Sequence, residues 1–126
     1  SEDLVFKKRF LHYIKFKGLD YDQKNLVEYN SPYANKQDGS IEFNLTDFED
    51  YLEEKRIKMK RVDLVLNVQK ILKAKKIKGK VNMGTKEEKD YKSCVSWRIK
   101  DFTLDNKDII IEGVVEELPK GITDGS

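Results

Sequence analysis

The sequence predicts a small α+β domain, with about three helices followed by a three-stranded antiparallel meander. Three observations carry that expectation. In the first two thirds of the chain, apolar residues recur at helical spacing between capping and charge signals. In the last third, apolar and polar residues alternate and the pattern breaks at turn residues, as in strands. The 126 residues include six Phe, six Tyr and one Trp, enough for one hydrophobic core without disulfides or metal. The domain is expected over residues 1–118, with 119–126 as a flexible tail after Pro119.

Residues 1–17 are expected to form the first helix. Ser1, Glu2 and Asp3 supply a cap and negative charge at its start, Lys15 and Lys17 sit at its end, and Gly18 follows. Leu4, Phe6, Phe10, Leu11, Tyr13 and Ile14 share one broad face. A strand over 10–17 is the rival, because Phe10 to Ile14 is rich in strand formers. Residues 18–40 are punctuated by Gly18, Asn30-Ser31-Pro32 and Asp38-Gly39-Ser40. Short strands are expected at Leu26–Tyr29 and at Ile41–Phe43.

Thr46, with Glu49 three residues later, reads as a capping box. The helix it opens carries Phe48, Tyr51, Leu52 and Met59 as a narrow apolar stripe, with acids in its first half and Lys55, Arg56 and Lys58 at its end. A third helix is expected over 63–76, capped by Asp63. On a wheel of 100° per residue, Leu64, Val65, Val68, Ile71 and Leu72 fall within about 120°, and Lys70, Lys73 and Lys76 lie on the opposite arc. Residues 62–68 also alternate as a strand would. The run from Gln69 to Lys76 favours helix.

A strand is then expected at Ile77–Met83, followed by a charged loop at Gly84–Ser93. The hairpin Cys94–Asp105 and Asp108–Leu118 would turn at Asn106-Lys107. Val95, Trp97 and Ile99 share one parity and Phe102 and Leu104 the other, so a bulge is expected near Lys100-Asp101, opposite Gly113. Helices followed by strands in this order resemble winged-helix domains, whose third helix enters the major groove. The likeness is one of element order alone.

Net charge is only +2, but lysines number 21 against four arginines. Lysine is a flexible point charge, whereas arginine is the planar fork that reads guanine. Such a chain suits phosphate contact better than base readout, and the same bias also arises in AT-rich genomes. Between Lys55 and Lys80, eleven cations meet a single acid, Asp63. Acids cluster instead at 42–54 and at 101–117. This segregation points to a surface for polyphosphate; the plainer alternative is a solvated helix face.

The expected function is therefore a nucleic-acid-binding accessory or regulatory domain acting through lysine–phosphate contacts. Lys70, Lys73, Lys75, Lys76, Lys78, Lys80 and Arg61 are the candidate residues. A protein-binding inhibitor or adaptor, from a phage or other mobile element, is the alternative. It would use the aromatics Tyr21, Tyr29, Tyr33 and Tyr91. A metal-dependent enzyme built on Asp101, Asp105, Asp108 and Glu112 has the weakest support, because aspartates beside a turn commonly serve local hydrogen bonds. No Walker loop, dinucleotide fingerprint or nucleophile elbow is present, so no enzyme and no cofactor is expected. His12 has no partner set for zinc. Cys94, the sole cysteine, is expected to be a small buried filler. A single cysteine allows no internal disulfide, and no apolar run approaches ~18 residues, so a cytoplasmic location without membrane contact is expected. Ser1-Glu2-Asp3 does not read as a signal peptide, and the sequon at Asn44 reads as chance.

Overall fold

The computed structural model describes residues 2–100, and these form an α+β fold. Helices α1 (Glu2–Lys17) and α2 (Gln23–Tyr29) come first, then strands β1 (Tyr33–Ala34) and β2 (Ile41–Phe43). Helices α3 (Leu45–Glu54) and α4 (Arg61–Lys70) follow, then strands β3 (Lys75–Asn82) and β4 (Tyr91–Ile99). The strands make one antiparallel sheet in the order β1-β2-β4-β3. The expected turn at Asn106-Lys107, the second hairpin strand, the bulge opposite Gly113 and the tail lie outside the described residues.

Helix α1 forms where its end signals place it, so the strand alternative for 10–17 falls. Acids occupy its first turn and lysines its last, which suits the helix dipole. Gly18 adopts a left-handed φ of 78° and donates its N–H to the Ile14 carbonyl at 2.8 Å, a conformation glycine adopts without strain. The segment Leu26–Tyr29, expected as a strand, is instead the second half of α2. Local caps decide this. The Asp22 side chain accepts from the Lys24 N–H, and Asn30, at φ 58°, closes the C-terminus onto the Asn25 and Leu26 carbonyls.

Helix α3 begins one residue before Thr46, and its cap is Asn44, whose side chain accepts from the Asp47 N–H at 2.9 Å. The expected capping box at Thr46 is thus corrected. Starting earlier buries Leu45 against the core. The helix also stops at Glu54, short of Met59. Arg56 turns left-handed at φ 60°, and the Ile57 N–H closes onto the Leu52 carbonyl.

The largest correction concerns 63–76. Helix α4 runs only from Arg61 to Lys70, with Lys60 rather than Asp63 at the N-cap position. Lys73 is left-handed at φ 55°, and the Ala74 N–H folds back to the Val68 carbonyl. Helix propensity in 69–76 yields to tertiary structure. Leu72 and Ala74 are buried, and Lys75 to Asn82 pair residue by residue with β4. The third helix of the winged-helix analogy is present as α4 but ends at Lys70, so Lys73 and Lys76 are not on it. Strand β4 also begins at Tyr91, inside the segment expected to be loop.

The core lies between the sheet and α1, α3 and α4. Phe48 is its hub, with Phe6, Phe10, Tyr13 and Phe43 around it at ring separations of 4.9 to 6.1 Å. Each buried aromatic of this kind contributes about 1.5–3 kcal/mol from burial, and edge contacts add about 0.5–1.5 kcal/mol per pair. The Tyr13 hydroxyl, deep in this layer, donates to Asp47 Oδ2 at 2.7 Å, and Lys17 pairs with the same carboxylate at 3.3 Å.

The opposite sheet face is covered by α2. Its buried polar centre is Glu42, only 3 % exposed. Glu42 Oε1 accepts from Arg98 Nη2 at 2.9 Å and Nε at 3.2 Å. Its other oxygen accepts from Ser96 Oγ at 3.2 Å and Gln23 Nε2 at 3.3 Å. Glu42 and Arg98 are direct cross-strand partners, so the ion pair also marks the register of β2 on β4.

Candidate nucleic-acid interface

A strand sends alternate side chains to opposite faces, and this sorts the candidate lysines. Cross-strand partners share a face. Lys76 opposes Trp97, Lys78 opposes Val95, Lys80 opposes Ser93 and Asn82 opposes Tyr91. Lys76, Lys78 and Lys80 therefore form one row, about 6.8 Å apart at ~3.4 Å per residue. Lys75 opposes Arg98 and belongs to the other face.

Strand β2 reaches only as far as Trp97 along β4. Among the described residues, β3 and β4 therefore continue past the core as a two-stranded arm. Trp97 at its base is buried, whereas Val95 and Tyr91 further out are 50 % and 55 % exposed. The three lysines of the row are exposed, and none joins an ion pair among the described residues. No acid stands on this face of the arm.

The loop at the arm's tip is tightly held. Asn82 Oδ1 accepts from the Gly84 and Asp90 N–H groups at 3.0 Å each, and its Nδ2 donates to the Thr85 carbonyl at 3.1 Å. Lys24 of α2 donates to the Gly84 carbonyl at 3.2 Å. A Cβ at position 84 would collide with the Glu88 carbonyl oxygen, so the loop requires glycine there for close approach rather than for φ. The tip loop beyond Asn82 is exposed and of mixed charge, with Lys86 and Lys89 beside Glu87, Glu88 and Asp90.

The other candidate residues go elsewhere. Arg61, at the start of α4, pairs with Glu49 at 3.0 Å and reaches Thr46 Oγ1 at 3.4 Å. Lys70 lines a cleft of about 1150 Å³ between α1 and α4, together with Arg9, Lys58, Lys60, Glu2 and Asp63. With two acids beside its four cations, that cleft is less uniformly cationic than the strand row. Lys73 sits in the turn after α4. Three of the seven candidates, Lys76, Lys78 and Lys80, thus stand together on one strand face.

Of the four aromatics expected to be exposed, Tyr29 and Tyr91 are, while Tyr21 and Tyr33 are half-buried. Burial, followed by the nearby Glu42 carboxylate, pushes the Tyr33 phenol above its ordinary value. Cys94 is partly covered rather than fully buried. Burial first, and then Glu42, raise its thiol above its ordinary value, which disfavours the nucleophilic thiolate. Among the described residues, no group of three His, Cys, Asp or Glu is placed to hold a metal ion. The acids Asp101, Asp105, Asp108 and Glu112 lie outside them. No helix of the described residues is long and apolar enough to cross a membrane.

Sequence reasoning missed Tyr91 as part of a lysine surface, because it placed Lys70, Lys73 and Lys76 on a helix. The signal was present: Lys76, Lys78 and Lys80 recur with period two, and Tyr91, Ser93, Val95 and Trp97 do the same. No protein-family model, curated protein or solved structure matches this chain.

Proposed function

We propose that this domain is a nucleic-acid-binding accessory module that contacts phosphates through the β3–β4 arm. The observation that carries this is the row Lys76, Lys78 and Lys80, exposed on one face with no opposing acid. A row with strand spacing presents successive ammonium groups to a backbone of regularly spaced phosphates. Each phosphate neutralised releases counterions and adds affinity that depends on salt but not on sequence. The arginines that could add base readout are sparse, and Arg61 and Arg98 are engaged with Glu49 and Glu42. The domain thus acts as a backbone grip with little sequence preference. Fluorescence anisotropy with labelled DNA and RNA oligonucleotides at about 50 mM salt, where non-specific binding is strongest, tests this. Binding that fades as salt rises is expected. Absence of binding to any nucleic acid at that salt overturns the proposal.

A further inference from the structure

We infer that the β3–β4 face takes single-stranded nucleic acid, with Tyr91 as the platform on which a base stacks. The inference rests on the proposed role of the lysine row as a phosphate track.

The face is two parallel tracks of different chemistry. Along β3 run Lys76, Lys78 and Lys80; along β4 run Val95, Ser93 and Tyr91, in direct register with Lys78, Lys80 and Asn82. Tyr91 and Val95 are 55 % and 50 % exposed, so the Tyr91 ring is open to a flat ligand. A single strand has the matching layout, with phosphates along one edge and bases along the other. Base–aromatic stacking on a cationic groove is the usual means of binding it. A duplex keeps its bases stacked inside and would leave Tyr91 and Val95 without a partner.

The polar groups on this face also argue against base-edge reading. Asn82 is the one amide that could pair with adenine in a groove. Both ends of that amide are spent in the loop, on Gly84, Thr85 and Asp90. What remains, Tyr91 and Val95 with the small Ser93, tolerates any base. The arm from Lys76 to Asn82 is about 20 Å long at ~3.4 Å per residue, room for a few extended nucleotides. The track ends at Tyr91, where β4 begins.

The test compares a mixed-sequence single strand of about 12 nucleotides with the duplex of the same sequence, by anisotropy at about 50 mM salt, for wild type, Tyr91→Ala and Tyr91→Phe. The single strand should bind more tightly than the duplex. Tyr91→Ala should weaken single-strand binding roughly 5- to 150-fold and leave duplex binding unchanged, whereas Tyr91→Phe, which keeps the ring, should stay within about twofold of wild type. Tyr91 is exposed, so neither variant should alter the melting temperature. If Tyr91→Ala leaves single-strand affinity unchanged, or lowers duplex affinity equally, the stacking inference is overturned while the phosphate track survives. If wild type binds neither form, the track itself is overturned.

Discussion

Replacing Arg98 with Met should destabilise the domain by about 2–4 kcal/mol. Glu42 is buried, and Arg98 supplies two of its four hydrogen bonds. Removing one partner of a buried pair typically costs about 3–5 kcal/mol, because the remaining charge is stranded in low dielectric. Two features reduce that figure. The Arg98 side chain is 32 % exposed, so water already screens part of the pair, and Ser96 and Gln23 still donate to Glu42 in the variant. In a urea titration with a slope of about 2 kcal/mol/M, the midpoint should fall by about 1–2 M. The double variant Arg98→Met with Glu42→Leu should be more stable than Arg98→Met alone by at least about 1 kcal/mol, because it removes the stranded carboxylate. A loss below about 0.5 kcal/mol for Arg98→Met, as for an exposed pair, would refute this reasoning. So would a double variant whose loss equals the sum of the two single losses.

Burial first, then Asp47 as hydrogen-bond acceptor and as charge, hold the Tyr13 phenol far above its ordinary value. A folded-state value above the unfolded one means stability that is present below about pH 10, the unfolded value, and declines as pH rises past it. Tyr13→Phe should therefore flatten the fall in melting temperature between about pH 9.5 and 11; an identical fall in both proteins would contradict the buried, bonded phenol. Gly84→Ala should cost about 1–3 kcal/mol through overpacking of the tip loop, with amide shifts confined mainly to 82–91. Unchanged stability and spectrum would mean that the loop does not approach position 84 as described. Cys94, with its thiol shifted upward, should react with a maleimide more slowly than a free thiol at pH 7 and speed up in denaturant, and rapid native labelling would show an activated thiol instead.

The class of fold was legible because α1, β2 and α3 carry their own signals. Acids and lysines mark the ends of α1, and Phe48, Tyr51 and Leu52 mark the inner face of α3. The misplaced boundary at 69–76 arose because Gln69 to Lys76 has strong helix propensity, and no local signal says that Lys75 will pair with Arg98, 23 positions away in sequence. Helix α2 was missed for the opposite reason. Its body, Leu26-Val27-Glu28-Tyr29, looks like a strand, and its identity rests on caps at Asp22 and Asn30. The site followed the fold. The cations were found, but sorting them required knowing that Lys76, Lys78 and Lys80 alternate on a strand while Arg61 and Lys70 belong to α4. The Glu42–Arg98 pair had no signal, since its partners meet only through the register of β2 and β4.

The central claim is that three lysines on one strand face grip phosphates, and the salt dependence of binding tests it most directly. On single strands each phosphate neutralised contributes about 0.7 to the slope of log affinity against log salt. Changing Lys76, Lys78 and Lys80 together to Gln should flatten the slope by about 2, with little change in stability, because these charges are exposed. The control removes an equal charge from the α1–α4 cleft, with Lys58, Lys60 and Lys70 changed to Gln, and should leave the slope within about 0.5 of wild type. Equal flattening in both triple variants, or none in the Lys76/Lys78/Lys80 variant, would contradict a site on the β3–β4 arm.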